Sequence, residues 1–386
     1  MKKWIVGIAL LSAAAFAGKP SVPVVDPVMR IIETHLQRYG QEEHFSAIQV
    51  TIKQQEKMRS YPVGMRGFSE KSEPVKTSDL FDIGSISKSF TAGLAVLAER
   101  DKKIVLQSSL RDYLSHYPHW GDISLDALLN MSSGLPNYTA SPKLNYLMSK
   151  NLRQYWNPAE LIALVYPKDA NPPLKAGYFY SNTGYILMDM ILTTRYAKPF
   201  GRLLESKIIK PLALENTFYP IPHYSSDVLK RLVDGYSYNI YDNPELLGET
   251  VTDNNLSWAG AAGGVVANSE DVARWVEHLF VTKKLFTRKE KKKMQQLISL
   301  SSGKPIRRTD KRDKKGFGLG IIQSYDSKMG RYWYYEGETL GYRALYMYVP
   351  AKKLIITALF NSATNGENDH AGELVQTLYE HIASQG

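Results

Sequence analysis

Of the 386 residues, none is cysteine. That absence excludes disulfides, thiolate zinc sites, a lipidated N-terminal cysteine and cysteine nucleophiles in one step, so the fold must be held by its core alone. Equally missing are a G-x-S-x-G elbow, an H-E-x-x-H helix and a phosphate-cradling glycine loop. His116-Tyr117-Pro118-His119 places two histidines close together, but Pro118 breaks the segment and no third ligand type lies nearby. No metal and no cofactor is implied. Past the N-terminus there is no apolar run long enough for a membrane span, and neither internal repeats nor low-complexity tracts occur.

What is present is 44% hydrophobic and 22% charged residues, enough to bury a sizeable core in one large domain or two intimately packed ones. The chain opens with Lys2 and Lys3, the apolar run Trp4 to Leu11, and small residues ending Ala15-Phe16-Ala17 before Gly18. That order predicts a cleaved secretory signal over residues 1–17, a mature chain from near Gly18, and export to the periplasm or medium. The net charge of +10 is concentrated: residues 283–315 hold fourteen Lys or Arg against Glu290, Asp310 and Asp313. Such a run reads as a solvated helix face, or as a patch attracted to an anionic envelope surface. Without interleaved aromatics it is not a nucleic-acid site.

Apolar spacing predicts a helix over Pro27 to Tyr39 with Met29, Ile32 and Leu36 on one side, then a strand over Ala47 to Ile52. Phe90, Leu94 and Leu97 mark one face of a helix running from Ser85 to about Arg100. Residues 101–250 are mostly helical in pattern, with turn chemistry at Ser133-Gly134-Leu135-Pro136-Asn137 and Asn171-Pro172-Pro173. After the small-residue run Ala259 to Gly264, strands are expected at Phe317 to Ile322, Arg331 to Tyr335, Tyr342 to Val349 and Leu354 to Phe360. A last helix carries Val375, Leu378, Tyr379 and Ile382. The expected fold class is α/β of the α+β type: an antiparallel sheet flanked by helices plus a mostly helical lobe. The sheet lobe is drawn from about 18–84 and 255–386, the helical lobe from about 85–254.

Ser85-Ile86-Ser87-Lys88 is an S-x-x-K motif whose two ends lie one helical turn apart on one face. A lysine can take the serine proton only when neutral, which requires its ordinary pKa of about 10.4 to be pulled down by desolvation or positive potential. The same spacing recurs at Ser301-Ser302-Gly303-Lys304, in a basic loop with no apolar helix behind it. Context selects the first, which follows Phe81-Asp82-Ile83-Gly84 and leads into an amphipathic helix.

The segment Phe81 to Ala92 resembles the active-site segment of the family that contains class C β-lactamases, D-alanyl-D-alanine carboxypeptidases and related esterases. Ile123 to Pro136, Tyr180 to Tyr185 and Ala259 to Val265 follow in that family's order, so the resemblance spans roughly residues 45–380. It implies the β-lactamase/DD-peptidase fold, Ser85 as nucleophile, and Lys88 and Tyr180 as its proton-handling partners, either of which is a candidate main base. Tyr180-Ser181-Asn182 is similar to the family's second motif, with Asn182 contacting substrate; a second Y-x-N stands at Tyr241-Asp242-Asn243. The third motif, normally Lys-Thr-Gly or His-Thr-Gly, here reads Tyr335-Glu336-Gly337. Gly337 keeps the close approach of substrate to the strand, and the N–H of Glu338 is the expected second oxyanion donor beside that of Ser85. The cation and hydroxyl that usually meet a substrate carboxylate are absent. The chain thus reads as an exported serine hydrolase acting on a small-molecule or peptidoglycan-derived substrate: a D-Ala-D-Ala peptide, a β-lactam, or a simple ester or amide. An inactive binding protein of the same fold is the alternative of another class. Glu336, if ionised in the cleft, is expected to repel carboxylate-bearing substrates unless paired with a cation such as Arg343.

Overall fold

The computed structural model describes residues 26–167, 174–239, 243–364 and 368–385. The signal segment, the Asn171-Pro172-Pro173 turn, and Tyr241 and Asp242 lie outside the described residues.

The chain enters through helix α1, Pro27–Tyr39, whose N-terminus is closed by Asp26 accepting from the Val28 N–H at 2.9 Å, with Pro27 in the first turn. Strand β1, Ala47–Gln54, then turns back at once into β2, Lys57–Gly64. The second strand was not expected. It is an edge strand, where Pro62 is tolerated and only Tyr61 and Val63 are buried, so its pattern is too broken for a strand signal.

The remaining strands of the sheet come from the C-terminal third: β3 Leu297–Ser299, β4 Pro305–Ile306, β5 Lys315–Phe317, β6 Ile322–Asp326, β7 Gly330–Glu338, β8 Arg343–Val349 and β9 Leu354–Phe360. They assemble with the first two in the order β2-β1-β9-β8-β7-β6-β5-β3-β4. The two ends of the chain meet as β1 and β9, antiparallel, with Ile48 opposite Phe360. The single strand expected over Phe317 to Ile322 is two antiparallel strands. Between them Gly320 takes φ +66°, and a Cβ there would fall 2.6 Å from the Lys88 carbonyl oxygen, so the chain reverses where it presses against the helix behind the site.

Alternation gives the sheet two apolar faces. Ile48, Leu345, Met347, Ile356 and Phe360 face α1 and the C-terminal helix, and the other face, with Tyr335, Ala344, Tyr346 and Leu359, joins the large core. Helices α2 Ser87–Arg100, α3 Thr183–Tyr196, α4 Ser269–Phe280, α5 Arg288–Met294 and α6 Ala371–Ser384 accompany α1. Helix α2 is more deeply set than its apolar face implied, since every residue from Ser87 to Ala98 is buried. Small residues make this possible: at Gly93 a Cβ would meet Phe286 at 3.0 Å and Trp275 at 3.2 Å, while Phe90 stacks on Trp275 with ring centroids 4.1 Å apart. The described middle of the chain is helices, most of them short, joined by loops, with two-residue strands at Thr217–Phe218 and Tyr236–Ser237. The basic run contributes α5 and the β3–β4 hairpin; Glu290 pairs with Arg100 and Lys293 with Glu99, while Lys291 is buried without a partner among the described residues. The architecture is the expected one, an antiparallel sheet flanked by helices with a further body of helices and loops.

Candidate active site

Ser85 sits in the tight helical turn Gly84–Ile86 that leads into α2. The turn is possible because of two glycines set back to back. Gly84 has φ +47°, and a Cβ on it would lie 2.4 Å from the Glu338 nitrogen; a Cβ on Gly337 would lie 2.1 Å from the Ile83 oxygen and 2.7 Å from the Ser85 nitrogen. The end of β7 therefore lies backbone to backbone against the Ser85 turn, which brings the N–H groups of Ser85 and Glu338 into one neighbourhood. Behind them Asp82, on the short strand Phe81–Asp82, accepts a hydrogen bond from Thr339 Oγ1 at 3.0 Å and ties the two segments together. Burial raises the Asp82 pKa to about 7, against which the Thr339 hydroxyl acts.

One turn along α2, Lys88 is fully buried. Its ammonium group donates to Ser85 Oγ at 2.8 Å and to the Ala262 carbonyl at 2.8 Å. Burial lowers its pKa, while the neighbouring Tyr180 opposes the shift. The Tyr180 hydroxyl stands 2.7 Å from Ser85 Oγ on the other side. Burial disfavours its phenolate, but Lys88, Ser85 and Tyr335 together bring its pKa below the ordinary phenol value. The serine hydroxyl is thus held between an amine pushed toward neutrality and a phenol pushed toward ionisation.

Tyr180 and Asn182 are placed by the turn that the sequence singled out. Ser181 and Thr183 both donate to the Pro136 carbonyl, at 3.2 and 2.6 Å, and the Asn182 N–H donates to Asn137 Oδ1 at 3.0 Å. The Asn182 amide donates to Thr139 Oγ1 at 3.0 Å. From this anchor α3 runs back into the core, so Tyr180 is delivered from a helix N-terminus opposite Ser85.

Ser85 lies where two cavities meet. One of about 480 Å³ is lined by Tyr178, Tyr180, Tyr335, Glu336, Gly337 and Glu338 among others; the second, of about 370 Å³, by Asn137, Thr139, Asn182, Asn239 and Glu338 among others. A larger cavity of about 700 Å³, between Pro199 and Val228, contains none of these groups. All the candidate residues, Ser85, Lys88, Tyr180, Asn182, Tyr335, Glu336, Gly337 and Glu338, converge on this cleft. Ser301 and Lys304 are exposed, and the Ser301 hydroxyl bonds Ser299 and Asp313 instead. Of the second Y-x-N, Asn243 lines the smaller cavity but spends its amide on the Asn145 carbonyl and Ser149.

The third motif differs from expectation in its details. Along β7, Tyr335 and Gly337 share the face toward Ser85. Glu336 is opposite Leu345 on the face toward α6 and is exposed at the cavity wall. Partial enclosure and the nearby Asp369 raise its pKa, while Lys315 acts the other way. Arg343 does not neutralise it: that guanidinium is buried between Glu43 and Asp369, each at 2.7 Å. Glu338 accepts from the Asn239 amide at 3.4 Å. Sequence reasoning missed the Ala262 carbonyl that holds Lys88. The small residues from Ala259 to Gly264 were a signal of close approach, and the backbone of Gly260–Gly263 indeed lies on the start of α2, with Ala261 accepting from Thr91 at 2.6 Å.

A model of the β-lactamase family matches residues 32–379. The chain belongs to the β-lactamase family. It is 22% identical over 370 residues to a penicillin-binding protein of Bacillus subtilis, covering 91% of this chain and 75% of that one. Among solved structures, it resembles the D-amino acid amidase of Ochrobactrum anthropi SV3 complexed with L-phenylalanine amide. The TM-score is 0.76 at 21% identity, over 93% and 98% of the two chains. The octameric penicillin-binding protein homologue of Pyrococcus abyssi gives a TM-score of 0.74 at 19% identity, over 93% and 78%. These likenesses establish the β-lactamase/DD-peptidase fold, and the family is one of serine hydrolases. No helix among the described residues is long and apolar enough to cross a membrane.

Proposed function

We propose that this family member forms an acyl-enzyme on Ser85 and cleaves an ester or amide that carries no carboxylate beside the scissile bond. The observation that carries the proposal is the double grip on Ser85 Oγ, 2.8 Å from Lys88 Nζ and 2.7 Å from the Tyr180 hydroxyl. In the proposed cycle the Lys88–Tyr180 pair takes the Ser85 proton as Oγ attacks the carbonyl. The N–H groups of Ser85 and Glu338 receive the oxyanion, and the pair returns the proton to the leaving group. Water then attacks the acyl-enzyme by the same steps, restoring the Ser85 hydroxyl.

The substrate restriction rests on charge. Glu336, Glu338 and Asp369 line the 480 Å³ cavity beside Ser85, and the one arginine among its described lining residues, Arg343, is engaged by Glu43 and Asp369. Among the described residues that line this cavity, none is a cation free to pair with a substrate carboxylate, and Lys315 acts on Glu336 from outside the lining; two like charges about 4 Å apart at an effective dielectric of about 20 repel by roughly 4 kcal/mol. Glu336 reaches the cavity from the far face of β7, so this figure is an upper bound. The test is a panel of a neutral p-nitrophenyl ester, an amino-acid amide and a penicillin, with a fluorescent phosphonate to capture the nucleophile. Turnover of the ester or amide well above the penicillin, with the label on Ser85, is the expected result. Equal turnover of the penicillin would sink the substrate restriction, and no labelling or turnover at all would favour the inactive binding protein.

We also propose export, on the strength of Lys2, Lys3, the apolar run that follows and Ala15-Phe16-Ala17. Mass spectrometry of the native protein should find an N-terminus near Gly18, and an intact Met1 in the cytoplasmic fraction would refute it.

A further inference from the structure

Tyr335 stands where the family's third motif begins, and its surroundings differ from those of a packing residue. The side chain is 3% exposed, with its ring edge-on to Phe317 at 5.6 Å between centroids. The hydroxyl is buried and has no well-formed hydrogen bond among the described residues, although it lies near enough to Tyr180 for the two to act on each other. A buried hydroxyl without a partner calls for an explanation, because a phenylalanine fills nearly the same space without the desolvation cost. Across the sheet, directly opposite Tyr335, Tyr346 also has a buried unpartnered hydroxyl. The two differ in where they stand: Tyr335 lines the cavity that holds Ser85 and Tyr180, and Tyr346 does not.

We propose that Tyr335 is a positioning residue for Tyr180, its hydroxyl donating a hydrogen bond to the Tyr180 oxygen as that oxygen takes up negative charge during attack by Ser85. At rest, Tyr180 is occupied with Ser85 at 2.7 Å, and the Tyr335 hydroxyl makes no well-formed hydrogen bond to it. Its influence is already felt: it helps to lower the Tyr180 pKa, and burial together with the Tyr180 charge drives its own pKa upward. Tyr335 therefore stays protonated when Tyr180 ionises, as a donor must. A phenol supplies the hydrogen bond without adding a positive charge to a wall that already carries Glu336 and Glu338. The proton balance is unchanged, since the Ser85 proton still passes to the Lys88–Tyr180 pair and Tyr335 transfers none.

The inference rests on the proposed role of Ser85, so the experiment separates the two. The readouts are the pH profile of kcat/KM for a p-nitrophenyl ester and of the rate of phosphonate labelling, with thermal melting as the check on folding. Tyr335→Phe should melt at or above the wild-type temperature, because only an unpartnered hydroxyl is lost. Its acid limb should nevertheless move to higher pH by about one unit, a loss of about tenfold in rate below the limb. Tyr335→His, which restores a donor, should recover part of that loss, and Tyr346→Phe should leave the profile in place. An unmoved limb in Tyr335→Phe, or an equal shift in Tyr346→Phe, overturns the positioning role. Turnover by Ser85→Ala at the wild-type rate instead overturns the reading of the site on which it depends.

Discussion

At Ser85 the hydroxyl lies within 2.8 Å of Lys88 Nζ and 2.7 Å of the Tyr180 hydroxyl, whereas Ser301, at the head of the same S-x-x-K spacing, bonds Ser299 and Asp313. The first motif leads into a helix whose residues are buried from Ser87 to Ala98. The second lies in an exposed turn beyond β3, with Lys304 in solvent. Identical spacing thus yields different surroundings. A helix brings positions i and i+3 together, but only burial makes the neutral lysine accessible, and only a second chain segment supplies the tyrosine.

The sharpest test of that contrast is to remove each serine. Ser85→Ala should lose hydrolysis by about a millionfold, the scale seen when a nucleophile is removed from a unit of cooperating groups. Ser301→Ala should stay within about twofold, as for a surface side chain outside the cleft. Equal losses at the two positions would dissolve the distinction. Next in size is the lysine pair: Lys88→Ala should cost about 10²- to 10⁴-fold in acylation, the usual range for a general acid or base, and Lys304→Ala nothing measurable. Stopped-flow labelling by the phosphonate would report both.

A third variant probes the backbone support that only the first motif has. The Cβ of Gly337→Ala would fall 2.1 Å from the Ile83 oxygen, forcing β7 away from Ser85 and displacing the Glu338 N–H. The expected loss in kcat is about 10²- to 10³-fold, that of one oxyanion donor, with KM changed less. An active Gly337→Ala enzyme would show that the two glycines need not touch.

The smallest expected effect is on stability. Asp82, three residues before Ser85, has its pKa raised from 3.8 to about 7 by burial. The folded protein therefore holds this proton more tightly than the unfolded chain. The resulting stabilisation is complete below about pH 4 and is lost as pH rises through about 7. Asp82→Asn should flatten the pH dependence of the melting midpoint in that window, by at most on the order of 4 kcal/mol. If wild type and variant change in parallel between pH 4 and pH 7, Asp82 is not carrying that proton.

Much of this was legible in local pattern. Apolar spacing located α1 and β9 at their observed ends, and Asp26 before Pro27 is the kind of start signal that needs no tertiary context. Glu336 shows a signal that was present and not used. A period of two puts Tyr335 and Gly337 on one face and Glu336 on the other, so its position across the strand follows from the letters themselves. Arg343 is the opposite case: its partners Glu43 and Asp369 lie 300 and 26 residues away, and no local pattern predicts that pairing.

By itself the sequence determined the fold class, the family and the residues that meet in the cleft, because helical and strand periods are properties of neighbouring residues and the motifs occur in a fixed order. Which S-x-x-K is buried beside a tyrosine, how Gly84 and Gly337 meet, what holds Lys88, and where Arg343 spends its charge were decided by the tertiary structure. Those are contacts between segments up to 300 residues apart. Their energies come from desolvation and close approach, which exist only once the chain has closed on itself.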